Sequence, residues 1–103
     1  MNEAAFQLAA RLRGTLPIDV RVAAIAMLGR LGAEASEGVG ILIEQLAHKE
    51  SLVRREAFTA LWQLGQAGVD VTTPLSLTLS CTRTGAALPS AAAALERFEL
   101  AGL

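Results

Sequence analysis

Two segments of this chain, VRVAAIAMLGRLG (Val20 to Gly32) and VRREAFTALWQLG (Val53 to Gly65), repeat one another at a constant offset of 33. Val20 pairs with Val53, Arg21 with Arg54, Ala24 with Ala57, Leu28 with Leu61, Leu31 with Leu64 and Gly32 with Gly65. A period of this length belongs to stacked supersecondary units, none of which buries its apolar face alone. In the second copy Val53, Ala57, Ala60, Leu61 and Leu64 recur every three or four residues, so they share one face of a helix. Gly32 and Gly65 follow the last apolar positions, where a helix can end in the left-handed conformation. Asp19 and Ser51 stand where side chains cap helix N-termini.

Between the copies, ASEGVGILIEQLAH (Ala35 to His48) carries a second helical stripe, Val39, Leu42, Ile43 and Leu46, with Ser36 as its expected cap. One period back lie Ala5, Leu8 and Leu12. The pattern predicts helix pairs, an A and a B helix per repeat. The A helices are expected at 2–13, 36–48 and 73–81, and the B helices at 19–31, 52–64 and 89–100. In the last, Ala91, Leu95 and Phe98 match Ala57, Leu61 and Leu64 at an offset of 34, and Pro89 suits the first turn.

The segment TPLSLTLSC (Thr73 to Cys81) alternates leucine with serine and threonine, the pattern of a half-buried strand. The repeat register argues for helix instead. Leu75 and Leu79 fall one period after Leu42 and Leu46, with Thr73 as N-cap and Pro74 as first helical residue. Leu77 is then out of place, because its equivalents in this register, Glu44 and Arg11, are polar.

Composition narrows the functional classes. Apolar residues make up 52% of the chain and charged ones 18%, with a net charge of −1. The mean hydropathy of +0.43 means that some apolar surface stays exposed or meets a partner. No polybasic run points to nucleic acid or an anionic membrane. No segment approaches the ~20 apolar residues of a membrane span, and no basic run precedes an apolar core near the N-terminus, so no secretory signal is expected. The single cysteine, Cys81, excludes a disulfide or zinc framework within one chain, and a reducing cytoplasm is the expected compartment.

The stretch from Leu28 to Gly65, LGRLGAEASEGVGILIEQLAHKESLVRREAFTALWQLG, resembles HEAT-like repeats, in particular the short repeats of phycobilisome lyase-type proteins. The B helices carry the resemblance: IDVR (Ile18 to Arg21) and SLVR (Ser51 to Arg54), then alanines and leucines, then LG. It implies an α-α superhelix of about three stacked hairpins, with repeats at 2–31, 36–64 and 73–101. Such families run an Asp–Arg hydrogen-bond ladder between repeats; here Asp19 has no acidic counterpart at Ser51, and Leu88 stands where a third arginine is expected. Thr73-Pro74-Leu75-Ser76 is close to the ankyrin TPLH box, which the other repeat boundary lacks. Tetratricopeptide repeats want a tyrosine, which this chain does not contain, and Trp62 falls in the wrong helix for them.

No catalytic grouping emerges, and no cofactor or metal is implied. The only histidine, His48, is expected to complement the negative end of the second A helix. A Cys81–His48 dyad would lack an orienting third residue. Gly38 and Gly40 lack the continuation of a phosphate loop. Phe58 and Trp62 lie one turn apart on a face of the second B helix distinct from Ala57, Leu61 and Leu64. They either fill space between repeats or anchor a partner, and Arg55 nearby completes a composition common in binding hot spots. Arg21, Arg30, Arg54, Arg55 and Arg97 read as a solvated face offset by Asp19, Glu56 and Glu96. Leu77, Thr78 and Thr82 form an apolar-to-neutral outer face where a solenoid end should be polar.

The expectation is a single all-α domain over 1–103, whole or one part of a longer solenoid. It would act as a noncatalytic protein-interaction module using Phe58, Trp62 and Arg55 on the B-helix surface, or Leu77 at an apolar end that could also pair two copies. An enzyme or enzyme subunit like the bilin lyases, and then a nucleic-acid-binding repeat, are the competing expectations.

Overall fold

A computed structural model describes residues 3–81 and 88–103, with the side chains of 80, 81 and 88–90 outside the description. All regular structure among the described residues is helical. The elements are α1 (Glu3–Leu12), α2 (Ile18–Leu31), a 3-10 segment (Gly32–Gly38), α3 (Val39–Gln45), α4 (Ser51–Gln66), α5 (Thr72–Cys81) and α6 (Leu88–Leu100). The helices pack in sequence order: α1 on α2, α3 on α4 and α5 on α6, with α2 and α4 closely joined and α6 touching α4 more sparingly. The body measures 29 × 28 × 21 Å along its principal axes.

The alternating Thr73–Cys81 segment is helix, as the register requires. Leu75 is fully buried and Leu77 is 59% exposed. Its cap differs from the expected one. Asp70 Oδ1 accepts the Thr73 N–H at 3.1 Å and the Thr72 hydroxyl at 3.3 Å; the first helical residue is Thr72, two before Pro74, and Asp70, not Thr73, satisfies the free amide. These bonds, Thr73 foremost, hold the Asp70 carboxyl below its ordinary value.

Three other expected caps are not made. α2 starts at Ile18 behind Pro17, and α4 starts at Ser51 behind an extended Glu50, neither with a side-chain cap bond. Ser36 lies in the 3-10 segment, which bends at Ala35 before α3 begins at Val39. Buried Ala35 holds that bend against the core.

Gly32 ends α2 with φ +62°, but Gly65 remains helical. The turn after α4 is made instead by Gly68, at φ +96°. Val69 N–H donates to the Leu64 carbonyl and Gly68 N–H to that of Gly65, a Schellman arrangement. The same bonds recur one repeat later, from Leu103 to Phe98 and from Gly102 to Glu99. Gly65 serves close packing: a Cβ there would lie 2.8 Å from Leu103 Cδ1.

The repeated arginines close the A helices. Arg21 is buried; its Nη1 donates to the Leu12 carbonyl at 2.9 Å and to Gln45 Oε1 at 3.0 Å, and its Nη2 donates to the Gly14 carbonyl at 2.8 Å. Arg54 Nη1 donates to the carbonyls of His48 (2.7 Å) and Lys49 (3.0 Å). Each guanidinium thus satisfies carbonyls at or just beyond the end of the preceding A helix and places positive charge at the negative end of its dipole. This corrects the expectation of a solvated face for Arg21 and Arg54. Their hydrogen bonds go to carbonyl and amide oxygens, in keeping with the missing acidic residue at Ser51 that a ladder would need.

His48 does not act as the helix-end cation either. Its Nδ1 accepts the Glu50 N–H at 3.1 Å, which requires an unprotonated nitrogen there. Burial first, then the Arg21 charge, lower its pKa below 6.5.

Hydrogen bonding and burial also refine the register. Ala5, Ala9 and Leu12 meet buried residues at an offset of either 33 or 34, and the carbonyls decide for 34 between the first two A helices, since Gly14 accepts from Arg21 as His48 accepts from Arg54. Glu44 therefore corresponds to Ala10, not Arg11. Val20 and Val53 coincide in sequence but not in environment: Val53 is fully buried, and Val20 is 43% exposed.

Candidate functional site

The candidate site follows from the contrast between two helix junctions. At the first, Gly29 of α2 faces Ala60 of α4, and a Cβ on Gly29 would stand 2.9 Å from the Ala60 Cα. Two helices approach this closely only where one contributes no side chain. At the second junction the equivalent of Gly29 is Trp62, and the equivalent of Ile25 is Phe58. These rings occupy the space between α4 and α6 and keep the helices apart.

The rings are ordered by Phe98 of α6, which is fully buried. Phe58 stacks on Phe98 with centroids 5.2 Å apart and an interplanar angle of 30°. Trp62 tilts against Phe98 at 5.9 Å and 44°. Both distances lie in the range of favourable aromatic pairs. The Arg97 guanidinium carbon sits 5.9 Å from the Phe58 ring centroid, within reach of the ring's negative face.

The outcome is a mainly apolar groove of about 500 Å³ lined by Phe58, Thr59, Trp62, Arg97, Leu100 and Ala101. Phe58 and Trp62 are half-buried. One part of each ring surface belongs to the core, and the other faces the groove. Leu100 is 82% exposed, more than any other large apolar side chain described. The chemistry available is apolar contact along the groove floor with one cation at its rim.

Phe58 and Trp62 are therefore brought together as their spacing implies. Arg55 is exposed on α4 and is not among the residues lining the groove. Arg97 takes the position beside the aromatic pair. Leu77 lies on α5, outside this groove. The other members of its expected face divide: Thr78 donates its hydroxyl to the Pro74 carbonyl at 2.9 Å, and Thr82 lies outside the described residues. Leu100 and Arg97 had a weak sequence signal. Leu100 stands one repeat after the polar Gln66, an apolar residue at a surface place.

Among the described residues no group of three or more histidine, cysteine, aspartate or glutamate side chains could hold a metal ion. The Cys81 thiol falls outside the description, and with it the Cys81–His48 pairing. No helix among the described residues is long and apolar enough to cross a membrane. Comparison of the chain with protein-family models, with curated proteins and with solved structures finds no match.

Proposed function

We propose that this chain is a noncatalytic helical-repeat module, built as a short HEAT-like superhelix, that binds another protein through the groove between α4 and α6. The observation that carries this reading is the half-buried Phe58–Trp62 pair beside an exposed Leu100 and Arg97. Tryptophan and arginine dominate binding hot spots because each offers large contact area together with a polar or cationic handle. A partner would lay an apolar side chain against Trp62, Phe58 and Leu100 and present an acidic group to Arg97. The groove is preformed by Phe98, so little side-chain order is lost on association.

Leu100→Asp tests the reading, because Leu100 is exposed and its loss spares the core. Native co-purification with mass determination should give a stoichiometric second protein with the unmodified chain and lose it with the variant, at unchanged melting temperature. A complex that survives the substitution would place binding elsewhere, with Leu77 as the next surface to alter.

A second reading draws on the groove's volume. About 500 Å³ lies within the roughly 300–1,000 Å³ of small-ligand sites, and an arginine beside aromatic rings suits a planar acidic molecule such as a tetrapyrrole. Visible absorbance carried by the purified protein, and lost in Trp62→Ala, would favour this lyase-like alternative over the adaptor.

A further inference from the structure

We infer that the chain associates with further copies of itself head to tail, the outer face of α6 in one copy docking on the outer face of α1 and α2 in the next. A shallow groove of about 340 Å³ on that first face is lined by Ala4, Gln7, Leu8, Arg11 and Met27. Their counterparts in the second helix pair, by the offsets of 34 and 33, are Gly38, Ile41, Leu42, Gln45 and Ala60, and all five are buried. Where contacts identify what covers them, it is the preceding helix pair. Gly38 meets Leu28, Gln45 meets Arg21, and Ala60 meets Gly29. The open face of α1 and α2 therefore has the form of a surface that receives a helix pair, with Met27 52% and Val20 43% exposed.

The register also says which residues a docking copy would bring. At the internal junction, Gly29 of the preceding pair stands against Ala60 and Gln63, and Leu28 stands against Gly38. The counterparts of Gly29 and Leu28 on α6 are Glu96 and Leu95. The counterparts of Ala60, Gln63 and Gly38 at the open face are Met27, Arg30 and Ala4. A wider form of this junction, spaced by Glu96 and Met27 as the second is spaced by Trp62, sets Leu95 toward Ala4, and Glu96 beside Met27 and Arg30. Glu96 and Arg30 are both exposed, and their charges are opposite. The contact is heterologous, so it builds rings or open chains rather than a closed pair.

Sedimentation equilibrium of the purified chain over a wide concentration range tests this, with circular dichroism confirming that the variants stay folded. The expected result is a mass that rises with concentration beyond that of two copies. Arg30→Glu alone and Glu96→Arg alone should each weaken association about tenfold or more, since like charges then face each other. The double exchange should recover most of the loss, and added salt should weaken the original pairing. A chain that stays monomeric throughout overturns the inference. So does self-association that neither charge reversal changes, which would place the contact on another face such as Leu77.

Discussion

Gly29 of α2 packs against Ala60 of α4 with room for no Cβ on Gly29: one built there would lie 2.9 Å from the Ala60 Cα. Gly29→Ala should raise intrinsic helix propensity by about 1 kcal/mol. The overpacking should cost about 1–3 kcal/mol, because the obstacle includes backbone, which cannot rotate away. The net expectation is a lower melting temperature. A more stable variant in chemical denaturation would mean that the two helices separate easily.

Arg21 and Arg54 occupy one repeat position but should differ in weight. Arg21→Ala leaves buried carbonyls and Gln45 without their donor, at a cost of about 2–4 kcal/mol. Arg54→Ala opens carbonyls that water can reach, at about 1 kcal/mol. Arg21→Lys should recover little, because an ammonium cannot span the Leu12 and Gly14 carbonyls as a planar guanidinium does. Equal losses for Arg21→Ala and Arg54→Ala would contradict this account.

Trp62→Ala separates core from contact. The indole is half-buried, so truncation should cost less stability than the roughly 3–5 kcal/mol of a fully buried large ring. A partner should lose about 2 kcal/mol or more of affinity. Measuring the melting temperature beside the dissociation constant resolves the two contributions. A stable variant that binds normally would remove Trp62 from both roles.

Two titrations carry a defined sign. The ionised Asp70 carboxylate is favoured by the fold, so its contribution is present above the ordinary value of 3.8 and disappears as pH falls through the lower folded value. Asp70→Asn should therefore flatten the pH dependence of unfolding in that acidic window. His48 is favoured neutral; its contribution is present above 6.5 and is lost as pH falls through its lowered folded value. As the single histidine, it can be followed directly by NMR, and a midpoint at or above 6.5 would contradict the hydrogen bond from Glu50.

The helical class, the helix-pair period and the faces that Val53, Ala57, Leu61 and Leu75 bury are all legible in the order of residues, because residues three and four apart on a helix must share a side. That order also puts Phe58 and Trp62 together, one turn apart. What each face meets depends on how the helices pack. Val20 and Val53 have the same local pattern, yet one is exposed and the other fully buried. Arg21 and Arg54 read as surface cations until the carbonyls at the ends of the A helices came within their reach. The groove, too, is a property of two helices at once. Its width depends on the size of Trp62 against α6, compared with glycine at the same place against α4, and a distance between helix axes is written in neither helix alone.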